Sequence, residues 1–346
     1  MQVSSPSALA PSRHDLREGG SWGRRQRVKN ALLRWTVTAL LWAADRLPEA
    51  QLLAALGWLG SLAYWLSPKL RQRTRRNLAA AGLEPQLAAR VFRNAGHNLG
   101  RCLLLRRPGE VAPKVLVDAN SEQILLRALA AGRGVVFVSL HLGPFELIAA
   151  RISELCRAAA AANEAAEGDG PGPSATAPAP AASIVVRESY DPGLDQLVDL
   201  HRTRRGLEVI HRGKPGSAHK ILRALKRGRA VGFLPDLGGR VRSTQVTFFG
   251  QQVSLPLGPQ RISRRTGAPL LLGFLVPIAQ ERGREPQAQR FSLVISQLPL
   301  SASTAHTVTS QDLDLALAQG LEHAIRRCPE HWLWMARDLV SEVAPT

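Results

Sequence analysis

Short apolar runs alternate with stretches of helical spacing from about Asp118 onward, and this alternation limits the possible folds more than any other feature of the chain. The runs are rich in β-branched residues and bounded by Gly, Pro or charge, which is typical of strands. They lie at 134–140, 183–187, 207–210, 229–235, 269–277 and 291–296. The helical stretches are 144–156, 191–204, 216–227, 256–266 and 310–328. We therefore expect an α/β fold, with a mixed, mostly parallel sheet flanked by helices.

Two segments have compositions that oppose packing into such a core. Residues 1–30 lack apolar periodicity and end in the basic run 24–29, so we expect a disordered basic arm. The Ala-, Gly- and Pro-rich tract 158–182 predicts a disordered insertion in a surface loop. The insertion is not expected to form a domain boundary, and we place the main domain at 67–342.

Residues 31–66 are strongly apolar and contain much of the tryptophan of the chain. Three residues interrupt them: Asp45, Arg46 and Pro48. The uninterrupted run 52–66 is shorter than the ~20 residues that a spanning helix needs. Basic clusters at 24–29 and 69–76 flank the segment, which favours placing both ends in the cytoplasm. We expect two short membrane-associated helices, with aromatic residues as interfacial anchors; an ordinary buried helical pair is the alternative.

The charge of the chain narrows the class of its partners. Against 27 Asp+Glu there are 45 Lys+Arg, giving a net charge of +18, which suits nucleic acid, phosphate or an anionic membrane surface. We expect no nucleic-acid partner, because no helix-turn-helix, zinc-finger or RNP-type motif is found and aromatic residues are only 5%. Ten basic residues and one acid lie within 202–229, which suits an anionic partner. A solvated basic helix face is the alternative.

The cysteines give no sign of a metal or disulfide framework. There are three, and they are scattered: Cys102, Cys156 and Cys328. We expect a reducing compartment, no metal and no cofactor.

The most specific chemical signal lies in residues 134–152. A buried-type strand ends at Leu140, His141 follows it, and Pro144 suits the first turn of a helix that contains Glu146. On a single helix, His141 and Glu146 would point about 140° apart. At a strand end and a helix start, however, they can converge on the carboxyl rim of the sheet. A histidine with a carboxylate partner can act as a general base; an unrelated helix-capping glutamate is the alternative.

Residues 141–147 (HLGPFEL) resemble the H-x4-D/E signature of glycerolipid-type acyltransferases. More narrowly, they resemble the HxGNWE form of the bacterial lipid A late (secondary) acyltransferase family, with Pro144-Phe145 in place of the commoner Asn-Trp. The family often has a second acid where this chain has Gly238. The resemblance covers about 30–340 through collinear segments at 75–78, 186–195, 206–216, 221–228, 233–236, 248–250, 265–269 and 328–337.

This resemblance implies an acyltransferase domain that moves a fatty acyl chain to a hydroxyl of a phosphorylated glycolipid, a lipid A precursor. The expected donor is acyl carrier protein or acyl-CoA, and the expected location is the cytoplasmic face of the bacterial inner membrane. The same chemistry on another glycolipid, such as a phosphatidylinositol mannoside, is the alternative. His141 would be the general base with Glu146 as its partner, and no covalent acyl-enzyme is needed.

Three further residues complete the expected site. Arg187, at a strand end, is the expected donor to the developing oxyanion, with a surface arginine as the alternative. Arg212 follows the strand at 207–210 and is expected to bind substrate. Asp236 closes the segment 233–236 and is a second candidate for substrate binding.

Overall fold

The computed structural model describes residues 23–107, 109, 111–167, 181–187, 192–237, 242–256, 258–279, 289–298 and 310–339. Ten α-helices lie within these ranges: α1 (Arg24–Arg46), α2 (Glu49–Leu66), α3 (Pro68–Ala80), α4 (Ala88–Leu104), α5 (Ala119–Ala130), α6 (Glu146–Glu167), α7 (Pro192–Arg204), α8 (Ser217–Lys226), α9 (Gly258–Thr266) and α10 (Ser310–Arg327). The strands of the same ranges are β1 (Val115–Val117), β2 (Val135–Val138), β3 (Ala182–Arg187), β4 (Leu207–Arg212), β5 (Ala230–Phe233), β6 (Ser243–Phe248), β7 (Gln251–Pro256), β8 (Leu270–Pro277) and β9 (Phe291–Gln297).

The main sheet has seven strands in the order β1-β9-β8-β2-β5-β3-β4. Every neighbouring pair is parallel except β8 with β9. The predicted mixed, mostly parallel α/β sheet is therefore confirmed. Its central strand β2 is buried along its whole length, as expected for a strand covered on both faces.

Three strands were not expected from the sequence. The strand β1 has only three residues, and β6 and β7 form a separate antiparallel hairpin. The hairpin turns at Phe249-Gly250, with Phe249 at φ 51°. Since Asn-Gly or Asp-Gly usually marks such turns, a Phe-Gly turn gives no recognisable signal. Here the backbone N–H of Phe249 donates to Glu322 of α10 (2.7 Å), which helps to hold the turn.

The N-terminal apolar segment forms two helices, α1 and α2, that meet at Leu47-Pro48. Helix α1 begins at Arg24, so the basic run 24–29, which was expected to be part of the disordered arm, forms the first turns of this helix. Residues 1–22 lie outside the described ranges. Asp45 anchors α1 to the body through two hydrogen bonds from Arg106 (2.9 and 2.8 Å). Among the described helices, none is long and apolar enough to cross a membrane.

Both ends of the tract 158–182, for which the sequence predicted a disordered insertion, have regular secondary structure. Helix α6 continues to Glu167 and β3 already includes Ala182, so both ends of the 158–182 tract are ordered structure. Alanine is the best helix former, which explains why the alanine-rich start of the tract extends the helix. The middle of the tract, 168–180, lies outside the described residues.

The C-terminal segment packs against the sheet and α3. Its indole side chains Trp332 and Trp334 are fully buried, so they pack this segment into the core. Asn77 of α3 clamps this segment: its side-chain amide donates to the carbonyls of Trp334 (2.8 Å) and Arg337 (2.6 Å) and accepts from the backbone N–H of Leu339 (3.1 Å).

We predict that Asn77→Ala lowers the free energy of unfolding by about 2–4 kcal/mol, because it leaves several buried backbone groups without partners. Denaturant unfolding of the detergent-solubilised protein measures this change. The exposed neighbour Arg75→Ala is the control and should change stability by less than about 0.5 kcal/mol. Equal stability of the two variants would contradict the clamp.

Candidate active site

Four of the five expected site residues lie at or just after the carboxyl ends of adjacent parallel strands, and the fifth, Glu146, begins α6. His141 follows β2 and Asp236 follows β5, two strands that pair directly through Val138 and Phe233. Arg187 and Arg212 end β3 and β4 and lie opposite each other in the register. Neighbouring strands are about 4.8 Å apart, and β3 and β4 are the second and third strands from β2. The backbone of Arg187 therefore lies roughly 10 Å from that of β2, and the backbone of Arg212 roughly 14 Å.

A tight turn between β2 and α6 places His141 at this edge. Gly143 adopts φ 65°, and its N–H donates to the carbonyl of His331 (3.0 Å). The N–H of Leu147 then donates to the carbonyl of Pro144 (2.9 Å), which closes the first turn before α6 proceeds. The chain thus passes from strand to helix within a few residues, because glycine permits the left-handed conformation and proline suits the helix start.

The imidazole of His141 is held by Asp236. Its Nδ1 lies 2.8 Å from Oδ1 of Asp236, and its backbone N–H donates to Oδ2 of the same carboxylate (2.9 Å). The indole Nε1 of Trp332 donates a third hydrogen bond to Asp236 (2.8 Å). Because an ionised carboxylate only accepts, Nδ1 carries the proton and Nε2 is left with a lone pair.

The electrostatics of this pair follow from burial and proximity. Burial alone lowers the pKa of His141, but the charge of Asp236 and the hydrogen bond to it outweigh burial and leave the pKa above its ordinary value of 6.5. Burial likewise opposes ionisation of Asp236, yet His141 and the donated hydrogen bonds hold its pKa below 3.8. The His141 side chain keeps 25% of its surface exposed while that of Asp236 has none, so the ring can meet a substrate and the carboxylate cannot.

This geometry corrects two expectations. The carboxylate on the His141 ring is Asp236 rather than Glu146, and Asp236 is too deeply buried to bind substrate directly. Glu146 instead accepts hydrogen bonds from Arg202, at 2.5 Å to Nη2 and 3.3 Å to Nε. Its charge still helps to raise the pKa of His141, so it belongs to the surroundings of the ring without binding it.

Sequence reasoning did not single out Arg202, which the structure brings into the site from α7. Its guanidinium also lies 3.5 Å from Asp199, and Asp199 in turn lies 2.6 Å from Nε2 of His211 on β4. The only sequence signal for Arg202 was its place at the start of the basic cluster 202–229. Its partner could not be identified, because it is 56 residues away along the chain.

Arg187 and Arg212 form a neighbouring pair of cations at the same edge. Burial and the charge of Arg187 both lower the pKa of Arg212. The structure therefore brings these two predicted residues together. The strand β5 lies between them and the strand β2 that His141 follows. Among the described residues, no group of three or more His, Cys, Asp or Glu side chains could hold a metal ion.

An apolar cavity of about 430 Å³ adjoins the site, between α1, α4, α6 and α7. Its walls are mostly aliphatic, with Leu40 and Leu41 from α1 and Leu99 and Leu103 from α4. Glu146, Arg202 and Phe145 also line it, and the ring of Phe145 stands edge-on to that of His141 with centroids 4.8 Å apart. Phe145 therefore connects the cavity wall to the candidate base.

The site combines a buried His–Asp pair, a Glu–Arg pair and an apolar cavity, and comparison with known proteins adds to this geometry. Among curated proteins, no relative matches the chain at a significant level. Residues 178–340 match the family model described as bacterial lipid A biosynthesis acyltransferase. That stretch contains Arg187, Arg212 and Asp236, and it supports the family that the collinear motifs indicated. Over residues 178–340, slightly less than half of its length, the chain is therefore similar to the bacterial lipid A biosynthesis acyltransferase family.

Proposed function

We propose that this protein transfers a fatty acyl chain from the thioester of acyl carrier protein to a hydroxyl of a lipid A precursor, at the cytoplasmic face of the inner membrane. The observation that carries this proposal is the His141–Asp236 pair, which fixes the ring with Nε2 free to take a proton beside an apolar cavity. The match of residues 178–340 to the family model of bacterial lipid A biosynthesis acyltransferases supports the reaction class and the acceptor type.

In the proposed mechanism, Nε2 of His141 removes the proton of the acceptor hydroxyl as its oxygen attacks the thioester carbonyl carbon. The new C–O bond forms first, the tetrahedral intermediate then loses its C–S bond, and the proton passes from His141 to the departing thiolate. Asp236 keeps the reactive tautomer and stabilises the imidazolium while it exists. Acyl transfer proceeds directly between the two substrates, so the protein needs no nucleophile of its own.

Cations at the same edge complete the proposed site. Arg187 is the proposed donor to the oxyanion, and it is exposed at the end of β3. Arg212 beside it is proposed to bind an anionic part of the substrate. Glu146 is proposed to position Arg202 at the wall of the cavity, close enough for both charges to act on His141.

The apolar cavity is the proposed place for the acyl chain. Aliphatic side chains from α1 and α4 exclude water, and the cavity is bounded by Phe145, which contacts the His141 ring. A chain lying there would bring its thioester end towards His141.

Exposed apolar side chains on α1 and α2 support membrane association. On α1 they follow helical spacing along one face, at Val28, Leu32, Trp35 and Trp42. On α2 they recur seven residues apart: Trp58, Leu59, Trp65 and Leu66. Together with the basic residues at both ends of the helix pair, they suit helices that lie in the interface of an anionic bilayer.

We predict that His141→Ala reduces acyl transfer roughly a hundredfold to ten-thousandfold, because the general base is lost. Radiolabelled acyl carrier protein and a tetraacylated lipid A precursor measure the rate, with a phosphatidylinositol mannoside as the competing acceptor. The exposed His219→Ala is the control and should keep most of its activity. Undiminished transfer by His141→Ala would refute the mechanism. Faster transfer to the phosphatidylinositol mannoside than to the lipid A precursor would identify the mannoside as the acceptor.

A second prediction concerns pH. Since the neutral ring is the active form, kcat/KM should rise with pH through the raised pKa of His141, so its acidic limb should lie above pH 6.5. Asp236→Asn removes the charge that raises this pKa and leaves burial, which lowers it; the limb should move to lower pH. The plateau rate should also fall roughly a hundredfold or more, because an amide can stabilise the wrong tautomer. The exposed Asp338→Asn should change neither, and an unmoved limb in Asp236→Asn would contradict the pairing.

A third prediction tests the membrane surface. Replacing Trp35 and Trp65 together by serine should weaken binding to phosphatidylglycerol vesicles roughly tenfold, because exposed indole surface no longer enters the interface. Vesicle flotation measures the bound fraction. Leu315→Ser removes an exposed apolar side chain from α10 and should leave binding unchanged. Equal binding by all three proteins would rule out this face of α1 and α2.

A further inference from the structure

A second cavity, of about 210 Å³, lies at the same edge of the sheet on the other side of β2 from Arg187. Because β1 and β9 run opposite to β2, their first residues lie where β2 ends, and Phe291 at the start of β9 lines this cavity. We propose that this cavity binds a phosphate group of a substrate. The inference rests on the proposed function and extends it by a subsite that the mechanism does not use.

Four cations line the cavity: Arg101, Arg107, Lys114 and Arg205. Among its described lining residues, the one carboxylate is Glu49, which pairs with Lys114 at 2.8 Å. Glu154 does not line the cavity, but its negative charge raises the pKa of Arg205. Its carboxylate also accepts a hydrogen bond from the backbone N–H of Val111. The described lining therefore carries three positive charges more than negative ones, concentrated in a small space.

Two of these guanidinium groups are held rigidly. Arg205 donates to the carbonyls of Leu105 (2.9 and 2.7 Å), Arg107 (2.5 Å) and Gly109 (2.6 Å). Arg107 donates to the carbonyls of Ala44 (2.8 Å) and Leu47. Carbonyl groups orient a guanidinium but do not neutralise its charge, so both positive charges stay available to an anion without further ordering.

Arg101 adds a charge that is nearly buried. Its residue is only 9% exposed, its Nη1 lies 3.3 Å from the side-chain oxygen of Asn98, and its guanidinium stands 5.4 Å from the centre of the Phe291 ring. Burial lowers its pKa to about 10, and the charge of Glu49 opposes this shift. A bound anion would favour the charged form of Arg101 in the same way.

The position of the cavity indicates a phosphorylated lipid as the source of this group. Leu105 and Arg205 line both this cavity and the apolar one, so the two are adjacent. Arg107 and Glu49 lie at the junction of α1 and α2, next to the helices proposed to enter the membrane interface. A phosphate at that depth would belong to a lipid whose reactive hydroxyl is near His141. The phosphodiester of the donor's pantetheine arm offers the same chemistry from the other substrate.

Pyrophosphate titration of the full-length, detergent-solubilised protein tests the site without any need for acyl transfer. Lys114→Gln should weaken binding roughly threefold to tenfold, because one positive charge is removed. Glu49→Gln should tighten it by a similar factor, because a competing negative charge is removed. Misfolding could not produce these opposite changes. Arg133→Gln, at the opposite edge of the sheet, is the matched control and should bind like the unmodified protein.

Steady-state kinetics then identifies the source of the phosphate. If it belongs to the acceptor, Lys114→Gln should raise the KM of a phosphorylated acceptor several-fold and leave that of its dephosphorylated form unchanged. If it belongs to the donor, the KM of acyl-CoA should rise while that of phosphate-free acyl-pantetheine stays the same. Pyrophosphate affinities that are equal in all variants would overturn the site, whereas loss of transfer with intact binding would count only against the proposed function.

Discussion

The buried carboxylate of Asp236 is the constraint on which the site depends. An ionised group with no exposed surface would cost several kcal/mol if it were unpaired, and here three hydrogen bonds from two distant parts of the chain compensate it. They come from the backbone and ring of His141 and from the indole of Trp332. Arg337 adds a fourth connection by donating to the backbone carbonyl of Asp236 (2.6 Å). The end of β2, the end of β5 and the C-terminal segment therefore have to assemble together.

The hydrogen bond from Trp332 to Asp236 also explains why the C-terminal segment is fixed by several buried hydrogen bonds. Trp332 can reach Asp236 only if the segment around it is fixed, and Asn77 fixes it from α3 through Trp334, Arg337 and Leu339. The motif that supplies Asn77 and the motif that supplies the two tryptophans are thus parts of one structural unit. Packing in this region serves the orientation of the base, although none of these residues except His141 is accessible for chemistry.

Most of the fold could be predicted from the sequence, because it is determined by local patterns. The six expected strands and the helices between them follow from apolar runs bounded by Gly, Pro or charge. The structure places them within a few residues of their predicted bounds, except that α6 ends at Glu167 rather than at the expected residue 156. The hairpin of β6 and β7 was missed because its Phe249-Gly250 turn lacks the usual residues. The alanine-rich tract was misinterpreted because the same composition suits a long helix and a low-complexity loop.

The site was predicted only in part, because its decisive contacts join residues far apart in sequence. His141 could be recognised from its strand–turn–helix setting, but its partner Asp236 is 95 positions away, and only the pairing of β2 with β5 brings the two together. Spacing along the chain favoured Glu146, which does lie near His141. The spacing gave no indication that α7 places Arg202 close to His141, or that Arg202 forms the ion pair with Glu146.

The two pairs solve an electrostatic problem that two carboxylates beside one histidine would otherwise create. If both acids acted on the ring, their mutual repulsion would raise the pKa of one of them and hold a proton in the site. Arg202 forms an ion pair with Glu146, and the imidazole and indole donors hold the pKa of Asp236 below its ordinary value. The ring then has one partner at Nδ1, and its Nε2 is the atom left for proton transfer. The arrangement as a whole, rather than the H-x4-E spacing by itself, makes His141 suited to act as a base.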